Sequence, residues 1–152
     1  MKDPCNIRDA MLDDLPAMRR IRLSVVENPI TEEGLLSLGI TPESTTELLR
    51  TVGKAWVADC AGEAVGFSIS NRETAAVWAV FVLPEHEGRG FGSRLLRRAS
   101  DWLFEQGLEE IWLSTNPDPS VRAHGFYRNL GWMLDGVEPN GEVRYVLRRE
   151  KS

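Results

Sequence analysis

The chain has 152 residues, 42% of them hydrophobic and 27% charged, with a formal charge of −5. That length supports a core without staples and is read as one domain over residues 1–152, while the acidic balance argues against a nucleic-acid partner. Cys5 and Cys60 stand in no CxxC or Cys/His spacing, and His86 and His124 pair with neither. No metal site and no disulfide are therefore expected, which points to a reducing cytoplasm. No apolar run approaches about 20 residues and the first residues lack the apolar segment of a leader, so neither a membrane span nor secretion is expected.

A short strand is predicted near Asn6 to Arg8, then a helix capped by Asp13 or Asp14 on which Leu15, Met18, Ile21, Arg22 and Val25 recur at helical spacing. The proline of "ENPI" stops it. Thr31 and Thr41 offer caps for two more helices, the second with Pro42 at its first position and Leu48, Leu49 and Val52 as its buried side. "KAWVAD" and "AVGFSIS" read as a hairpin across "CAGE", and "AAVWAVFVL" as a third strand after "NRET". From Gly90 the apolar period lengthens through Phe91, Leu95, Ala99 and Leu103, a helix ending at Gly107. A strand "EIWLST", a helix "SVRAHGFYRNL" and an antiparallel pair "GWMLDG" and "EVRYVL" complete an α/β chain with a mixed sheet covered by helices.

Between the third strand and the long helix lies "PEHEGRGFGSR", with Gly88, Gly90 and Gly92 on alternate positions. A P-loop needs Gly-Lys-Ser/Thr, but Gly92 is followed by Ser93 and Arg94. A dinucleotide fold needs a third glycine where Ser93 stands and an acidic end to the next strand, where "EIWLST" ends in hydroxyls. What remains is a strand, a turn and a helix whose first unpaired N–H groups face an anionic ligand. Arg94 in the first helical turn opposes the helix dipole, a local cost that a phosphate would offset, whereas Arg97 and Arg98 read as a solvated face.

The loop resembles the acetyl-CoA loop of the GNAT superfamily of N-acetyltransferases, Gln/Arg-x-x-Gly-x-Gly/Ala, which falls here on Glu87, Gly88, Arg89, Gly90, Phe91 and Gly92. Both glycines match; Glu87 departs from the first position, and a carboxylate near a pyrophosphate is unfavourable unless it turns to solvent. "FVLPE" looks like the family's splayed fourth strand, and "RAHGFYRNLGW", about thirty residues on, looks like its tyrosine helix. The resemblance implies a mostly antiparallel mixed sheet flanked by helices, and acetyl-CoA bound along Phe81, Val82, Glu87, Gly88, Arg89, Gly90, Phe91, Gly92 and Ser93, with no metal.

By the same resemblance Tyr127 is the acid that protonates the departing thiolate, close to the CoA sulfur; an ordinary phenol stays protonated at neutral pH. A backbone N–H near Val82 would meet the oxyanion. The family's carboxylate base has no counterpart in "AAVWAVFVL", leaving Glu73 and Glu27 as candidates, or solvent. Asn116 is a candidate CoA contact, while Ser120 takes the position where the family places an asparagine. Trp78 is the tryptophan that best suits a substrate cleft.

The implied activity is transfer of an acetyl group to a primary amine by direct attack, with a cationic small molecule or peptide as acceptor and dimerisation through the last strands. The competing expectation, from the missing strand carboxylate and Glu87, is a non-catalytic acyl-CoA-binding sensor of the same fold.

Overall fold

The computed structural model describes residues 5–25, 30–115 and 123–149. Its strands are β1 (Cys5–Asp9), β2 (Gly53–Cys60), β3 (Glu63–Asn71), β4 (Ala76–Val82), β5 (Glu110–Thr115), β6 (Met133–Val137) and β7 (Val143–Arg148). They form one sheet in the order β1-β2-β3-β4-β5-β7-β6. The helices are α1 (Leu15–Leu23), α2 (Glu32–Ser37), α3 (Pro42–Thr51), α4 (Phe91–Glu105) and α5 (Ala123–Asn129). Every strand pair is antiparallel except β4 with β5, as a mixed, mostly antiparallel sheet requires.

Local chemistry explains most boundaries. The Thr31 and Thr41 hydroxyls accept from the backbone N–H groups of Gly34 and Ser44, each at 3.0 Å, and so cap α2 and α3. Ala61 and Gly62 both take positive φ, the turn geometry that follows strand twist, which closes the β2–β3 hairpin. The expected cap of α1 is different. Asp14 accepts from the Met11 N–H at 2.7 Å and grips Arg8 at 2.9 and 3.0 Å, closing a 3-10 turn over Leu12–Asp14 ahead of the helix. That partner holds the Asp14 carboxyl below its ordinary pKa, through the Arg8 hydrogen bonds first and against the opposing effect of burial.

The sheet separates two helical layers. On one face, Ser68 and Ser70 of β3 are fully buried and donate to the Leu95 and Ala99 carbonyls of α4, each at 3.0 Å. Gly66 makes this approach feasible: a Cβ there would sit 3.1 Å from both Leu95 Cδ1 and the Phe81 carbonyl oxygen. On the other face Phe67 and Phe81 meet at 5.8 Å between ring centroids, and Arg22 of α1 lies 4.4 Å over the Phe81 ring.

The expectation about the cysteines is overturned. Cys5 and Cys60 stand directly opposite in the β1–β2 ladder, with Cα atoms 4.0 Å apart, and are joined in a disulfide. Register, invisible in their spacing along the chain, brings them together, and the cysteine argument for a reducing compartment falls with it. Among the described residues no helix is long and apolar enough to cross a membrane.

Two irregularities open the middle of the sheet. In β4, Ile69 pairs Ala79 and Ser70 pairs Val77, so Trp78 is an extra, bulged residue and is 46% exposed. Between β4 and β5 the register is a single pair, Ala76 with Trp112. The Trp112 N–H donates to the Ala75 carbonyl at 3.0 Å and its indole to Thr74 at 2.8 Å. Beyond that clasp the two parallel strands part, which is the splay expected there.

Candidate functional site

The split presents backbone on one side. Leu83 donates to the Val65 carbonyl at 2.8 Å, so by the alternation of an antiparallel ladder Phe81 and Ala79 also bond toward β3. Val80 and Val82 then point their N–H and C=O groups toward the side β5 has left. Of the residues predicted to line the cofactor, Val82 therefore offers backbone, and Phe81 offers its ring on the α1 face.

At the end of β4, Pro84–His86 form a 3-10 turn, and Gly90 caps α4 in a left-handed conformation without any side-chain cap bond. The first helical bond runs from Arg94 N–H to Gly90 O. The N–H groups of Phe91, Gly92 and Ser93 thus begin the helix without intrahelical acceptors. Gly88 and Gly90 have φ of +78° and +83° with open space where a Cβ would be, so the backbone itself demands glycine. Gly92 is different: its backbone is helical, and a methyl would rest against the Phe126 ring at 3.4 Å. Neither conformation nor space excludes a side chain there.

Glu87 is exposed. Ser93 donates to the Gly90 carbonyl at 3.3 Å. Arg89 reaches back from the loop: it contacts His86 Nδ1 at 3.0 Å and Cys5 Sγ at 3.7 Å, and lies 5.1 Å over the Phe91 ring. Arg94, Arg97 and Arg98 are exposed along α4, Arg97 near Asp101 at 3.8 Å.

Tyr127 sits on the α4 side of the sheet, 9% exposed among Phe126, Trp132 and Tyr145 at centroid distances of 5.4, 6.3 and 5.7 Å. Tyr145 lies opposite Leu113 of β5 and its hydroxyl bonds His124 Nδ1 at 2.8 Å. Burial, with a smaller contribution from the neighbouring Tyr145, pushes the Tyr127 phenol up to about 12. Among the described residues nothing hydrogen-bonds the Tyr127 hydroxyl, a protonated donor with no acceptor among them.

Glu73 is placed elsewhere. It lies exposed in the β3–β4 turn, its N–H on Asn71 Oδ1 at 2.8 Å, at the end of β4 where the strand is still clasped to β5. Glu27, Asn116 and Ser120 fall outside the described residues.

Sequence reasoning missed the group on the opposite face. Leu113 and Tyr145 face α5, so the alternating Trp112, Ser114 and Arg144 face α1. Arg144 lies 4.4 Å over the Trp112 ring, and Ser114 donates to Glu142 Oε2 at 3.3 Å. Burial lowers the pKa of the half-buried Arg22, and the charge of Glu142 opposes that shift. The only sequence signal was the alternation of Glu142 and Arg144 with Val143 and Tyr145.

Comparison with known proteins gives the arrangement a context. Residues 26–132 match the model of the "Acetyltransferase (GNAT) family". An uncharacterised N-acetyltransferase of Methanocaldococcus jannaschii is 29% identical over 104 residues, 61% of this chain and 44% of that protein. Streptothricin acetyltransferase of Streptomyces lavendulae is 35% identical over 83 residues, 53% of this chain and 42% of that protein. The chain thus spans about half the length of the curated relatives it matches. Among solved structures, a PaiA N-acetyltransferase of Thermoplasma acidophilum in complex with coenzyme A superposes with a TM-score of 0.79 at 15% identity, covering 98% of this chain and 100% of that one. At such identity the likeness is one of fold.

Proposed function

The chain belongs to the GNAT family of acetyltransferases, and from that premise we propose that it binds acetyl-CoA in the β4–β5 split and transfers the acetyl group to a primary amine by direct attack. The observation that carries this reading is the split itself: backbone of Val80 and Val82 on one edge and N–H groups at the start of α4, neither set with a partner among the described residues. The pantetheine amides would bond the strand, and the pyrophosphate would meet the N–H groups of 91–93. The same backbone, near Val82, would hold the oxyanion. The relative solved with coenzyme A bound has this fold, which supports acetyl-CoA as cosubstrate.

Tyr127 would protonate the leaving sulfur. Its raised pKa keeps the proton in place, and its hydroxyl has no competing acceptor among the described residues. Neither Cys5 nor Cys60 is free to form an acyl-enzyme, in keeping with direct transfer. A cytoplasmic setting is retained as a proposal from the supply of the cosubstrate alone. A homodimer is proposed through edge strand β6, where Met133, Leu134 and Val137 are exposed.

Two measurements test this reading. Calorimetric titration with acetyl-CoA is expected to give micromolar binding, and mixed amines are expected to trigger release of the CoA thiol. Absence of binding would overturn the assignment of the split; binding with no thiol release would leave the sensor reading in its place.

A further inference from the structure

At the split the two faces of the sheet carry different chemistry. Tyr127 belongs to the α4 and α5 side. The α1 side carries Phe81, Arg22, Ser114 and Glu142. A nucleophile attacking a thioester held in the gap, with its leaving sulfur turned toward Tyr127, arrives from the α1 side. The carboxylate that β4 lacks is present there, contributed by the far end of the chain.

We propose that Glu142 is the acceptor-side carboxylate: it binds the incoming ammonium group and takes the proton the nitrogen must lose. The proposal rests on the acetyl-transfer reading above and adds to it a residue. Glu142 is half-buried and held in a defined orientation. Its Oε2 accepts from Ser114 at 3.3 Å, its Oε1 accepts from Asn140 Nδ2 at 3.0 Å, and its own N–H donates to Asn140 Oδ1 at 3.0 Å. A carboxylate has about four acceptor sites, so each oxygen keeps a lone pair for an ammonium N–H. Among the described residues the charged groups nearest it are Arg22 from α1, Arg144 from β7, which itself pairs with Asp135 and Glu138, and Glu138 across the β6–β7 turn. Arg22 stacks on Phe81 at 4.4 Å, on the same face of the sheet as Ser114.

The step balances. The ammonium gives one proton to Glu142; the freed lone pair forms the N–C bond; the C–S bond breaks and its electrons leave on sulfur. Of the two protons the nitrogen sheds in becoming an amide, one ends on sulfur by way of Tyr127 and one in solvent by way of Glu142.

The test is thiol release by wild type, Glu142→Gln and Glu142→Asp between pH 6 and 9.5, with tryptamine, spermidine and an alanine-terminated tetrapeptide as probes, beside calorimetric titration with acetyl-CoA. Glu142→Gln is expected to bind acetyl-CoA within twofold of wild type yet to lose on the order of 100-fold in acceptor kcat/KM at pH 7. The loss should shrink toward pH 9.5, where more of the amine is already neutral, and Glu142→Asp should recover part of the neutral-pH rate. Kinetics of Glu142→Gln within threefold of wild type at every pH would overturn the proposal while leaving acetyl transfer intact. A parallel loss of acetyl-CoA binding would also overturn it, by moving Glu142 to the cosubstrate side. Wild-type protein that binds acetyl-CoA and acetylates none of the probes removes the transfer reading and the role of Glu142 together.

Discussion

At position 92 the fold alone would favour alanine. The backbone is helical, a methyl would fit against Phe126, and glycine costs a helix up to about 1 kcal/mol relative to alanine. An aspartate there should even help, because a carboxylate in the first turn complements the helix dipole by about 0.3–1 kcal/mol. Gly92→Asp is therefore expected to melt no lower than wild type while weakening acetyl-CoA at least tenfold; unchanged affinity would place the pyrophosphate elsewhere. Tyr127 gives a second prediction. Tyr127→Phe retains the ring packing and removes a hydroxyl that has no partner among the described residues, so stability and acetyl-CoA affinity should hold while kcat falls roughly 100-fold or more. The same burial predicts an alkaline effect. With the folded pKa near 12 and the ordinary value near 10, the unfolded chain releases its proton first. The contribution is whole below pH 10 and is lost as pH rises from there to about 12, a loss a denaturation series should show in wild type and not in Tyr127→Phe. Tyr127 and the loop glycines could be named as candidates from the sequence because a local pattern marks them. Glu142 was not, since its meaning depends on what lies across the sheet.

At the level of elements, period and capping residues located nearly every strand and helix; what they could not convey was strand order. β6 follows β5 in the chain, yet β7 takes the place beside β5 and pushes β6 to the edge. That insertion sets Glu142 beside Ser114 and Arg144 over Trp112. The same limit hid the role of the two serines of β3, which are struts between sheet and α4. Each donates to a helix carbonyl in a fully buried site. Ser68→Ala and Ser70→Ala should each cost about 1 kcal/mol in a urea titration, with the double variant close to their sum if the two struts act independently. Because α4 carries the loop at its N-terminus, a shift of the helix should also appear as weaker acetyl-CoA binding in the double variant.

Over the whole molecule, the Cys5–Cys60 bond ties the edge strand β1 to β2 across a sequence separation of 55 residues. Closing a loop of that length stabilises a fold by about 2–4 kcal/mol, which corresponds to roughly 5–15 °C in Tm for a chain of this size. Scanning calorimetry with and without dithiothreitol should show that difference, and labelling of two free thiols in unreduced, unfolded protein would rule the bond out.

The bond has a further outcome for the chain as a covalent object. α1, α2 and α3 all lie between its two half-cystines, so the first third of the sequence is a closed ring with the remainder attached as a tail. A single protease cut anywhere in that ring releases nothing. On a gel without reductant the nicked protein should still run as one species of 17.1 kDa, and only on adding reductant should it separate into two.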